Sequence, residues 1–113
     1  MNNFSYKNFC IPSGLSLSSE INIYQHNLHS LIMPSAWTTA SITFSCSIDS
    51  FTWVDLYDSA GNEYTVSTGT NRIILLDTSV FTLPMIIKVR SGTSGTPVAQ
   101  GEDRIIKACV YEK

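Results

Sequence analysis

Polar and apolar residues alternate without a break from Ser41 to Ile48, reading Ser-Ile-Thr-Phe-Ser-Cys-Ser-Ile. A β-strand sends successive side chains to opposite faces, which assigns Ile42, Phe44, Cys46 and Ile48 to one side and Ser41, Thr43, Ser45 and Ser47 to the other. The first set predicts a core face. The hydroxyl set predicts a face turned to water or to another protein's backbone. The same period of two recurs along the chain. Leu15, Leu17, Ile21 and Ile23 alternate with Ser16, Ser18, Glu20 and Asn22, and residues 28–33 form an apolar run ended by Pro34. Residues 51–57 and 63–67 read as further strands, the latter with Tyr64 and Val66 inward. Residues 85–90 place Ile87 and Val89 inward, and residues 104–111 place Ile106, Ala108 and Val110 on one side. The unbroken run from Ile73 to Leu76 predicts a strand buried on both faces. Asp77 and Thr78 predict a cap for one helical turn through Phe81, before Pro84.

About eight short strands punctuated by turns, with no useful helical period, predict an all-β chain: an antiparallel β-sandwich or jelly roll. Residues 1–10 are polar with Phe4, Tyr6 and Phe9 interspersed, and they read as an N-terminal arm whose aromatics dock on a neighbour or lie on their own domain. Residues 11–113 read as a single β-sandwich domain. The longest connection spans residues 91–103, a length at which a loop is functional or mobile.

Charge narrows the function classes. Charged residues are 14% of the chain, against roughly 25% in soluble domains, and Ser and Thr fill the polar surface instead. A net charge of −2 gives no electrostatic case for nucleic acid or an anionic membrane. No stretch reaches the length of a membrane-spanning helix or of a signal peptide's apolar region, so folding in a cytoplasm is expected. Cys10, Cys46 and Cys109 are widely spaced and odd in number, which predicts free thiols, with Cys46 acting as a small core hydrophobe.

No catalytic, metal or cofactor site is expected. His26 and His29 have only Glu20 as a nearby further ligand and read as solvated loop residues. Gly92-Thr-Ser-Gly95 is one residue short of a nucleophile elbow and precedes no helix. Asp55, Asp58 and Glu63 lack the alternate-position spacing of a calcium loop. The two tryptophans divide: Trp53 is expected in the core, and Trp37, after Pro34, has the better claim to an exposed edge. Arg90 reaches either a partner carboxylate or its own loop at Glu102 or Asp103, and the second is favoured.

An ordered set of motifs runs through most of the chain: Ile11-Pro12, Leu15 to Leu17, Met33-Pro-Ser-Ala-Trp-Thr-Thr-Ala40 and Ile42-Thr-Phe44. Asp49-Ser-Phe-Thr-Trp53, Leu56-Tyr-Asp58, Lys88-Val-Arg-Ser-Gly-Thr93 and Pro97-Val-Ala-Gln100 follow. In this order they resemble a family of small tailed-phage virion proteins encoded near the head genes, over roughly residues 11–110. The chain departs from that pattern at Ser50, where the family usually has Gly, so the turn there need not be of a Gly-requiring type. The resemblance implies a non-enzymatic capsid decoration or cement protein on the capsid exterior, binding the major capsid protein. Homo-oligomers are implied as well, trimers at threefold positions being common for such proteins. Phe4, Tyr6, Phe9, Trp37, Arg90, Ser91, Gly92, Thr93, Pro97 and Gln100 are the candidate partner-binding residues. The competing reading is a carbohydrate-binding module for host adhesion, which needs an exposed aromatic platform.

Overall fold

The computed structural model describes residues 4–113. Its strands are β1 (Phe4–Ile11), β2 (Ile21–Asn22), β3 (His26–Ile32), β4 (Ile42–Ser47), β5 (Val54–Asp55), β6 (Ile73–Leu75), β7 (Ile86–Ser91) and β8 (Arg104–Glu112), and no helix occurs among the described residues. They form two four-stranded antiparallel sheets, β1-β8-β3-β6 and β2-β7-β4-β5, as a β-sandwich requires. The inward positions of both sheets close one core: Phe9, Ile11, Leu28, Leu31, Ile106, Ala108 and Val110 from the first, Ile21, Ile42, Phe44, Cys46, Ile87 and Val89 from the second.

The expected arm is a strand. From Phe4 onward it pairs with β8 along its whole length, from Phe4 opposite Tyr111 to Ile11 opposite Arg104; residues 1–3 lie outside the described residues. Strict alternation explains this. Phe9 and Ile11 enter the core fully buried, while Phe4 and Tyr6 stay outside.

Strand β4 has the predicted register on its apolar side only as far as Cys46. Ile48 is 78% exposed, because the strand ends at Ser47 and the chain turns before the next inward position. The hydroxyl side is not turned to water: Thr43, Ser45 and Ser47 are all buried. Long side chains of β7 flank Thr43 and Ser45. Arg90 donates to Thr43 Oγ1 at 3.3 Å and pairs with Asp55 at 2.7 Å, and Lys88, opposite Ser45, holds its ammonium 4.4 Å over the Trp53 ring. The run at β6 also departs from expectation. Leu76 is buried, but Ile73 and Leu75 are exposed, since β6 is an edge strand and none of the described residues covers its outer face. Asp77 caps a hydrogen-bonded turn rather than a helix, its Oδ1 accepting from the Ser79 N–H and hydroxyl.

All three cysteines are free. Burial, and then the nearby Asp55 carboxylate, push the Cys46 thiol up to about 12, so it carries little thiolate at neutral pH. Alkylation at pH 8 should therefore label exposed Cys10 readily and leave Cys46 unmodified until denaturant is added, as read by peptide mass mapping. Prompt labelling of Cys46 in the folded protein would mean that the register of β4 is reversed.

Candidate functional site

The sequence candidates sort into buried and exposed sets. Phe9, Ser91, Gly92 and Gln100 are buried and unavailable to a partner. Gln100 is instead a polar hub inside the fold. Its Oε1 accepts from the Thr38 N–H at 2.9 Å and from Arg104 Nε at 3.0 Å, while its Nε2 donates to the Thr38 carbonyl at 3.0 Å and Ser91 Oγ at 2.6 Å. Gly92 adopts φ +90°, and a Cβ there would meet the Thr96 carbonyl oxygen at 2.5 Å, so glycine is required where the chain leaves β7.

The long connection is organised from this point. Thr93 and Thr96 exchange backbone hydrogen bonds at 3.2 Å, Gly92 bridges Pro97, and the Val98 N–H donates to the Ser91 carbonyl. The result is a small hairpin whose tip is pinned when the Ser94 N–H donates to the Glu63 carboxylate at 3.2 Å. Pro97 is exposed and Thr93 half-buried. Arg90 acts within the chain, as favoured, but its carboxylates are Asp55 and Glu63 rather than Glu102 or Asp103. Glu102 pairs with Arg104 instead.

Neither tryptophan matches its expected place. Trp53 is half-buried beneath Lys88 rather than in the core. Trp37 is half-buried against the core, its indole N–H donating to the Ala40 carbonyl at 3.1 Å. The histidines fall on the first sheet and do not form a ligand set: His29 packs against Phe4 and Tyr111, with centroids 6.3 and 6.0 Å away. Among the described residues no group of three or more His, Cys, Asp or Glu is placed to hold a metal ion.

The two largest groups of exposed apolar side chains among the described residues lie elsewhere. One is the tip between β4 and β5, where Ile48, Phe51 and Val54 project and Phe51 is 89% exposed. This tip is rigidly built. Asp49 Oδ1 accepts from the Thr52 N–H at 2.8 Å, the Phe51 N–H at 2.9 Å and the Ser47 hydroxyl at 3.1 Å, and the Ser50 N–H donates to Ser47 Oγ at 2.9 Å. The Thr52 and Phe51 amides hold the Asp49 carboxyl below the usual carboxylate range, so the turn keeps its charged cap until pH falls through that depressed value. Ser50 sits at φ +70°, so a serine takes here the left-handed region that glycine usually fills. Beside the tip lies an open cleft of about 320 Å³ lined by Cys46, Ser47, Ile48, Asp49, Thr52 and Val54.

The second surface is the outer face of the β1-β8-β3-β6 sheet, where Phe4, Tyr6, Ile73, Leu75 and Ile105 are each half or more exposed. Phe4 and Tyr6 belong to the candidate set; the others were missed. A signal existed for Phe51, an aromatic residue inside a polar turn. For Ile73 and Leu75 an unbroken apolar run hid the fact that only one face is covered.

Comparison with protein-family models, curated proteins and solved structures finds no match.

Proposed function

We propose that this protein is a non-enzymatic structural component of a tailed-phage virion, a capsid decoration protein that binds the major capsid protein on the outside of the head. The reading starts from the ordered motifs of residues 11–110 and is supported by the build of the tip. Its main support is Phe51, an almost fully exposed aromatic side chain on a turn fixed by hydrogen bonds. An anchor that is already ordered loses little conformational entropy on docking, and aromatic anchors in partner pockets dominate many interfaces. Ile48 and Val54 flank it with further apolar area, and the Thr93–Thr96 hairpin offers a second rigid contact. Attachment of this kind buries surface across capsid subunits and needs no cofactor.

The test mixes purified protein with particles that lack it. Wild type should cosediment and raise the temperature at which particles release DNA. Phe51→Ser should weaken binding at least tenfold, corresponding to about 1.4 kcal/mol, while its fold, read by circular dichroism, is unchanged. Binding equal to wild type would remove the tip from the interface, and failure of wild type to bind any capsid would remove the function.

Glycan adhesion is the second reading, favoured by one groove. Tyr57, Leu83, Asp58, Asp77 and Ser79 line an open depression of about 490 Å³ in which an exposed tyrosine ring stands beside two carboxylates. Retention of wild type on glycans but not on capsids would select it.

A further inference from the structure

The outer face of the β1-β8-β3-β6 sheet is laid out in rows by the strand register. The central row is Tyr6, Cys109, Ser30 and Leu75. On one side runs Asn8, Lys107, Ile32 and Ile73, with Cys10 and Ile105 beyond it. On the other side Phe4 and Tyr111 pair at 5.3 Å and gather His29, which the bulge after Leu28 brings onto the same face. Lys107 is the one charged residue in these rows, and no carboxylate stands among them. The face therefore carries five exposed apolar side chains set among the polar Asn8, Asn27, Ser30 and His29 and the single cation Lys107.

We propose that this face is covered by the same face of a second copy, forming a twofold sheet-on-sheet dimer. Area is the first argument. With Phe and Tyr burying roughly 150–250 Å² each when covered, the five half-exposed apolar side chains present on the order of 500 Å². Ile32, Tyr111, Cys109 and the Lys107 stem bring this toward the ~800 Å² per partner of a stable interface. Charge is the second. A twofold axis lying between the sheets along the central row keeps each strand over its own copy and exchanges the flanking rows. Lys107 then stands over Tyr111 and the Phe4–His29 cluster of the other copy, a cation on aromatic faces, made twice. The two lysines lie on opposite sides of the axis and do not meet. Leu75 faces Leu75, Tyr6 faces Tyr6, and Cys109 lies in the middle of the contact.

This inference is independent of the capsid reading, since the tip at Phe51 belongs to the β4–β5 connection and not to these rows. The experiment uses the whole chain in dilute buffer, without particles. Sedimentation equilibrium over a dilution series should show a monomer–dimer equilibrium, and alkylation of Cys109, in the central row, should slow as concentration rises. Leu75→Lys places two ammonium groups face to face and should weaken the dimer by on the order of a hundredfold, since like-charge contacts cost several kcal/mol. The site is exposed on an edge strand, so folding is spared, and Phe51→Ser should leave the dimer intact. A monomer at every concentration, a trimer, or a dimer that Leu75→Lys does not weaken would each overturn the proposal.

Discussion

Phe44→Ala should lower the unfolding free energy by about 3–5 kcal/mol, the range for truncating a fully buried phenylalanine. Its side chain has no exposed surface and sits at the meeting point of both sheets. The ring meets Phe81 edge-on at a centroid distance of 4.9 Å and Tyr64 at 5.9 Å, and those two rings touch at 5.4 Å. Removing Phe44 takes one ring out of a mutually contacting triad, and the cavity cannot collapse easily, because Ile42 and Cys46 on the same strand are held by the ladder to β7. A domain of this size has about 5–15 kcal/mol of stability in all, so a third or more should disappear. Urea unfolding followed by tryptophan fluorescence measures it, with an unchanged denaturant slope required for the comparison. Ile48→Ala, assigned to the same face by alternation but exposed, should change stability by less than about 0.5 kcal/mol. Equal losses at the two positions would mean that the strand continues past Ser47.

That pair also marks how far sequence reading reaches. Alternation identified β4, β7 and β8 and their inward residues, because period two is a local property of a strand with one buried face. It failed where burial depends on what lies opposite. Thr43 and Ser45 are buried beside Arg90 and Lys88, which come from a strand more than forty residues away, and local pattern carries no trace of that. Ile73 and Leu75 are exposed because β6 ends the sheet and nothing in the described chain crosses it. β1 was read as an arm for a similar reason. Its partner β8 is the last strand of the chain, and only that pairing turns Phe9 from a loose aromatic into a core residue.

The candidate site was legible in outline only. The connection after β7 was recognised by its length, but its function as a partner loop rested on the assumption that a long connection is irregular. Gly92 at positive φ, the Thr93–Thr96 exchange and Gln100 make it a folded hairpin, with the polar side chains Ser91 and Gln100 turned inward. A buried glutamine is invisible to hydropathy. What marks it is that every hydrogen-bonding capacity of its amide is met, a fact of three dimensions.

Gln100→Leu should accordingly be nearly as damaging as the core truncation, costing about 3–5 kcal/mol. The side chain makes four hydrogen bonds: two accepted, from the Thr38 N–H and Arg104 Nε, and two donated, to the Thr38 carbonyl and Ser91 Oγ. That is the full capacity of an amide. Leucine fills the space but leaves those partners unpaired, and each buried polar group so stranded costs about 1–3 kcal/mol, less where Thr38 can reach water. The main chain at residue 100 adds a second link, since Gly14 donates to its carbonyl at 2.8 Å and its own N–H donates to the Leu15 carbonyl at 3.0 Å. The hub therefore ties the Pro12–Leu15 turn, the connection at Thr38 and the start of β8 to the end of β7. Hydrogen exchange on the variant should speed up together at the amides of residues 14, 38 and 100, and leave the β4–β7 ladder at Phe44 and Val89 slow. Gln100→Glu separates the contributions: it keeps an acceptor for Thr38 and Arg104 but loses both donated bonds, so its loss should fall between wild type and leucine. A leucine variant within about 1 kcal/mol of wild type, with exchange at residue 38 unchanged, would show that the hub is dispensable and that the apolar core alone holds this end of the sandwich.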